Sequence, residues 1–131
     1  MPLAKISGRR TAKTIFNVNW WAVAEALRES DPDLIVIEQQ GARPGMSAKS
    51  TFSIAHQYGA LIGICSALGK PFELVLPAVW KVRMGLRGLD KDASRARACE
   101  LMPEGAALFS RQLDHGRAEA SLIAMWKVAY A

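Results

Sequence analysis

Apolar positions along the chain change their period several times, and each change predicts an element. From Thr14 to Arg28 the residues Ile15, Val18, Trp21, Val23, Ala24 and Leu27 recur every three or four positions, the spacing of one helix face. Ser30-Asp31-Pro32-Asp33 ends that helix, because proline cannot continue the hydrogen-bond ladder. Leu34-Ile35-Val36-Ile37 is then a short β-branched run between turn signals, the pattern of a strand covered on both faces. A polar loop from Gln39 to Ser47, with Gly41, Pro44 and Gly45, leads to a long helix predicted from Ala48 to Leu68. Ser47 or Ser50 caps its start and Gly69 closes it. Phe72 to Leu76 predicts a second buried strand, and Pro77 to Met84 a short helix broken at Gly85. Asp90 to Leu101 reads as a charged helix stopped before Pro103, and a final helix opens at Leu113 or Asp114, with Asp114 placed as its N-cap.

The order helix, strand, helix, strand, helices predicts an α/β layer whose strands pair in parallel through helical crossovers. Two evident strands make a small sheet. Either Leu3 to Ser7 adds an edge strand, or the chain lacks part of a larger domain. With no internal repeat, low-complexity tract or linker, residues 1–131 are expected to form one domain.

Composition narrows the class. Half of the 131 residues are hydrophobic, enough for a packed core and against intrinsic disorder. A formal charge of +5 and a pI near 9.6 favour an anionic partner. Cys65 and Cys99 both fall in apolar, helix-like contexts outside any C-x-x-C pair, so two buried free thiols are expected and no zinc pattern exists. The basic N-terminus has no apolar signal core, and no uninterrupted run approaches a membrane-spanning length. A cytoplasmic protein with no membrane partner is expected.

The candidate chemistry centres on carboxylates. Glu119 interrupts the apolar run of the final helix and shares a face with His115, Leu122 and Trp126. A carboxylate on a buried face needs a cation to compensate it, either a basic side chain or a metal ion. Glu38 ends the first buried strand, where parallel α/β sheets gather their ligand chemistry. Asp114 adds a third candidate from the helix start. Hard oxygen ligands of this kind suit Mg²⁺ or Mn²⁺, which can activate water and stabilise the leaving oxygen in phosphodiester hydrolysis. Each residue has a plainer reading as well. Glu38 can be an ordinary loop glutamate, Asp114 an N-cap, Glu119 the partner of Arg117 or Lys81, and His115 a surface histidine or a general acid/base. Lys81, Arg83, Arg87, Lys91, Arg95 and Arg97 stand against only Asp90 and Asp92, a density that suits phosphate contacts or a solvated face. Arg43 and Lys49 border the Glu38 loop and can hold a nucleic-acid strand, while Phe52 is a core residue or a wedge against a base.

Ordered along the chain, these pieces resemble the RuvC-type Holliday junction resolvases, particularly their phage-like branch. The resemblance covers residues 31 to 126. It is carried by Ile37-Glu38-Gln39, Ser50-Thr51-Phe52, Tyr58-Gly59-Ala60-Leu61, Pro77-Ala78-Val79-Trp80-Lys81, Met84-Gly85-Leu86, Asp90-Lys91 and Asp114-His115-Gly116-Arg117-Ala118-Glu119-Ala120. The resemblance implies an RNase H-like fold, a mixed sheet flanked by helices, in a homodimer that nicks four-way DNA junctions with Mg²⁺. It implies Glu38, Glu119 and Asp114 as metal ligands, and Lys81 and Lys91 near the scissile phosphate, stabilising developing negative charge.

Two departures stand out. Relatives often carry an acid or histidine one turn before the last acid, where this chain has Gly116. The family also opens with a strand bearing an aspartate followed by a glycine, whereas Met1-Pro2-Leu3-Ala4 resembles a point just past the opening strands, so one ligand and the central strand are expected to be missing. Three alternatives remain beside a resolvase: a non-catalytic junction-binding module, another RNase H-fold nuclease, and an interaction domain with salt-bridged acids. The long helix, with Gly59 and Gly63, is the candidate dimer surface.

Overall fold

A computed structural model describes the backbone of residues 3–5 and 16–131 and the side chains from residue 18 onward. Their order is β1 (Leu3–Lys5), β2 (Phe16–Val18), α1 (Trp20–Ser30), β3 (Ile35–Glu38), α2 (Ala48–Ala67), β4 (Phe72–Val75), α3 (Pro77–Arg83), α4 (Lys91–Leu101) and α5 (His115–Tyr130). Two 3₁₀ segments, Pro103–Phe109 and Gln112–Asp114, lie between α4 and α5. The architecture is mixed α/β. The chain forms two compact units, one holding the residues through Ile35 together with Gln40–Phe72, the other Val36–Gln39 with Glu73–Ala131.

In the first unit β1 and β2 pair antiparallel, with Leu3 opposite Val18 and Lys5 opposite Phe16. The edge strand expected from Leu3 exists over Leu3–Lys5, but its partner is β2. That pairing corrects the first helix, which begins at Trp20 rather than Thr14. Phe16 and Val18 also satisfy the two-residue strand period, and Asn19 accepts the Ala22 N–H at 3.1 Å as the cap that fixes the later start. α1 ends at Asp31, a non-glycine residue at φ 42°, whose N–H returns to the Leu27 carbonyl and whose carboxylate pairs with Lys70. α1 packs on α2, with Val23 and Cys65 among the buried residues. Ser47 Oγ accepts the Ser50 N–H at 3.0 Å, and Gly69 at φ +65° follows the other end of α2, as expected.

β3 and β4 pair in parallel. Ile35 N–H donates to the Pro71 carbonyl at 3.0 Å and Gln39 N–H to the Val75 carbonyl at 2.8 Å, a constant offset along the two strands. The expected equal cover on both faces is not seen at β4. Val75 is buried, but Leu74, pointing the other way, is 44% exposed. On the Glu73–Val75 face, Lys127 of α5 pairs with Glu73 at 2.6 Å.

The core of the second unit joins Val75, Trp80, Met84, Leu86, Ala98, Phe109, Ala118, Leu122 and Ile123. α4 and α5 pack directly, and the fully buried alanines Ala98 and Ala118 leave room for close approach. Asp90 caps α4 by accepting the Ala93 N–H at 2.9 Å.

Candidate functional site

Glu38 is the last residue of β3, at the carboxyl end of a parallel strand. Its Oε2 accepts a 2.7 Å hydrogen bond from the indole Nε1–H of Trp80, on α3. An indole has one polar group, a donor, and Trp80 is fully buried, so packing fixes where that donor points.

The next residue, Lys81, turns to the other carboxylate. Its Nζ lies 3.9 Å from Glu119 Oε1 and 5.4 Å from the centroid of the Trp80 ring. This is a loose ion pair rather than a tight hydrogen bond, supplemented by the attraction of a cation to an aromatic face. Glu119 Oε1 also accepts from Ser94 Oγ at 3.2 Å, and Ser94 is buried in α4. Consecutive residues of α3 thus reach two carboxylates from different parts of the unit. The Glu119 side chain is 22% exposed, so it lies at the margin of the core rather than within it. Of its two expected cationic partners, Lys81 is present. Arg117 instead donates to the Leu108 carbonyl at 3.2 Å and approaches Asp114 at 4.0 Å.

Asp114 corrects an expectation. It occupies the N-cap position of α5, but its side chain makes no capping bond. Oδ2 accepts the backbone N–H of Arg111 at 3.0 Å and its Nε–H at 3.2 Å, while Oδ1 accepts from Nη2 at 2.8 Å. The 3₁₀ turn Gln112–Asp114 brings the Arg111 fork over the carboxylate, and a charge-assisted fork outcompetes a cap. At 4% exposure Asp114 needs that compensation.

The side-chain bonds from Arg111, helped by its backbone N–H and opposed by burial, hold the Asp114 carboxyl below its ordinary range, and the same pairing raises the Arg111 guanidinium. A carboxyl whose folded pKa is depressed adds stability above its unfolded pKa, and the addition is lost as pH falls through the folded value. Thermal midpoints measured against pH should therefore fall for the parent protein as pH drops below the ordinary carboxylate range, and fall less for Asp114→Asn. Superimposable pH profiles would contradict the clasp.

The remaining candidates divide clearly. His115 Nδ1 lies 3.3 Å from the Gln112 carbonyl oxygen, in the turn just before α5. Arg83, Arg87 and Lys91 are exposed, with the Arg83 guanidinium 5.8 Å from the Tyr130 ring. Arg95 turns inward. It donates to the carbonyls of Phe109 at 3.3 Å and Ser110 at 3.0 Å and to Asp92 at 2.7 Å, tying the first 3₁₀ segment to α4. Arg97 likewise donates to the Met84 carbonyl at 3.2 Å. In the first unit Arg43 and Lys49 are exposed, and Phe52 at 76% exposure is no core residue. A shallow cleft there is lined by Gln40, Met46, Thr51, Ile54 and Tyr58. Cys65 is a buried free thiol as expected, whereas the free Cys99 is only partly buried.

Among the described residues no three of His, Cys, Asp and Glu converge as a metal-ligand group. Glu38 and Glu119 offer the hard oxygens that Mg²⁺ or Mn²⁺ takes, while both oxygens of Asp114 are committed to Arg111. Trp80, Ser94 and Arg111 are the participants to which the sequence assigned no role. An arginine three residues before an aspartate was a visible signal. The pairings of Trp80 with Glu38 and Ser94 with Glu119 span 42 and 25 residues and leave no local trace.

No known family profile matches the chain. A stretch of 84 residues, 63% of this chain, is 32% identical to the chloroplastic Holliday junction resolvase MOC1 of Chlamydomonas reinhardtii. The chain spans 10% of that relative's length. The similarity is to a protein named as a junction resolvase, and it does not single out the phage-like branch of the RuvC type. No helix among the described residues is long and apolar enough to cross a membrane.

Proposed function

We propose that this chain carries the site of a metal-dependent endodeoxyribonuclease that nicks four-way DNA junctions, on an RNase H-like fold of the RuvC type. The observation that carries the reading is the pair Glu38 and Glu119, engaged by the consecutive α3 residues Trp80 and Lys81. Similarity to a named resolvase supports it.

In this reading Glu38 and Glu119 hold Mg²⁺, with Mn²⁺ as a substitute, and Asp114 joins them only on release from Arg111. A divalent ion held there would supply Lewis acidity for phosphodiester hydrolysis. Lys81, already beside Glu119, places positive charge where the phosphate gains negative charge, and Lys91 acts from the start of α4. Arg83 and Arg87, and separately Arg43 and Lys49, contact backbone phosphates, so binding weakens steeply with salt. The protein works as a homodimer, each protomer nicking one strand, with the face of α2 that carries the exposed Gly59 and Gly63 as the contact.

A second reading, a non-catalytic junction-binding module, is favoured by one observation: the Arg111 clasp withdraws Asp114 from ligation. A labelled synthetic junction incubated with Mg²⁺, with Mn²⁺ and with chelator separates the readings. The nuclease reading expects paired nicks that vanish on chelation. Tight binding without nicks supports the module. Equal cutting of flaps or RNA–DNA hybrids indicates another RNase H-fold nuclease, and no affinity even at low salt indicates an interaction domain. A monomer in sedimentation velocity counts against paired cleavage.

A further inference from the structure

We propose that Trp80 and Ser94 are positioning residues, two buried donors on separate helices that orient Glu38 and Glu119 for the cation; the proposal rests on the metal-nuclease reading. Neither touches substrate. Each acts by narrowing the rotamer freedom of the carboxylate to which it donates.

The geometry points to this role in three ways. First, Trp80 has no polar group except Nε1–H, and it is enclosed by the core that includes Val75, Met84 and Leu122. A buried donor left without an acceptor is costly, so the indole keeps the 2.7 Å bond to Glu38 Oε2 with or without a metal ion. Second, a serine inside a helix commonly returns its proton to the carbonyl four residues back. Ser94 instead directs it across the helix pair to Glu119 Oε1 at 3.2 Å. Third, the reach of Ser94 depends on helix separation. Ala98 follows Ser94 by one turn, Ala118 precedes Glu119, and both alanines are fully buried where α4 meets α5. Small side chains there keep the serine within hydrogen-bond distance. Lys81 adds charge beside Glu119, but with its loose 3.9 Å approach it does not fix orientation.

Donors behind metal-binding carboxylates raise affinity by removing this freedom before the ion arrives, and their loss typically weakens metal binding by about tenfold to a hundredfold. The test uses the full chain labelled with ¹⁵N-tryptophan, Trp80 being assigned by its disappearance in Trp80→Phe. Its indole N–H resonance should shift saturably with Mg²⁺, and the shift should be absent in Glu38→Gln. In calorimetric titrations, Ser94→Ala should raise the Mg²⁺ midpoint by about tenfold to a hundredfold, and Ser94→Thr, which restores the hydroxyl, should recover affinity. A purely structural serine would not divide its two variants this way. If Trp80→Phe fails to fold, assignment passes to Trp80→His, and the Ser94 pair decides independently.

A wild-type Mg²⁺ midpoint in folded Ser94→Ala, with a Trp80 resonance that ignores Mg²⁺, overturns the positioning roles. If Glu38→Gln and Glu119→Gln still abolish binding in that case, the metal reading stands. If those two variants bind Mg²⁺ like the parent, or the parent binds none, the metal reading fails and the positioning proposal with it.

Discussion

Glu38→Gln should reduce Mg²⁺-supported junction nicking by at least on the order of a hundredfold, the scale on which removal of a single preorganised electrostatic group commonly registers. The substitution keeps the shape of the side chain and an oxygen able to accept the Trp80 indole N–H, so the strand end and α3 should stay in place. What it removes is the negative charge that a hard cation requires. Junction affinity should remain close to the parent's, because phosphate contacts from Lys and Arg set binding. Glu119→Gln should behave similarly, with one difference. It removes the charge opposite Lys81, and the freed ammonium can bind DNA somewhat more tightly. Asp114→Asn should act chiefly on stability, since the Asp114 carboxylate is held by Arg111. Rates and affinities measured side by side for the three variants test the assignment. Retention of nicking by Glu38→Gln would remove Glu38 from the site, and an Asp114→Asn defect confined to rate would return Asp114 to the metal.

What could be read from the sequence was whatever depends on near neighbours. Ser47 caps its helix where expected, Gly69 follows α2 at positive φ, and Pro77 opens α3, because each is a rule about a few consecutive residues. Glu38 and Glu119 stood out for a related reason, as charges set in otherwise apolar periodic runs. Errors fell where distant chain decides. Phe16 to Val18 fits a helical period on its own, yet pairs with Leu3–Lys5. Pro103 to Phe109 has no periodic signal, but a 3₁₀ segment carries Phe109 into the core, with Arg95 holding its carbonyl. Asp114 satisfied a local rule and lost to a stronger local competitor, because a bidentate guanidinium fork outweighs a single capping bond. Arg95 illustrates the limit of charge counting. It belongs to the basic stretch in sequence, while its guanidinium serves carbonyls of the same unit.

Leu122→Ala should destabilise the protein by about 2–5 kcal/mol, the range for a fully buried leucine whose surroundings close only partly around the gap. Leu122 is completely enclosed on α5 and belongs to the cluster that contains Trp80, Phe109 and Ala118. Val128 lies on the same helix, is apolar as well, and is 90% exposed, so Val128→Ala should change stability by no more than about 0.5 kcal/mol. The contrast measures which face of α5 the core uses, independently of any activity. Against a typical total of about 5–15 kcal/mol, the loss at Leu122 is large enough to populate unfolded chain, so urea titration at low temperature is the appropriate measurement. Near-equal midpoints for the two variants would mean that α5 is not seated as described. Leu122 also lies one turn beyond Glu119 and beside the same α4–α5 contact that brings Ser94 to that carboxylate. A cavity there lets α5 shift against α4, so folded Leu122→Ala should bind Mg²⁺ more weakly than folded Val128→Ala, although neither side chain has a polar atom to offer the ion.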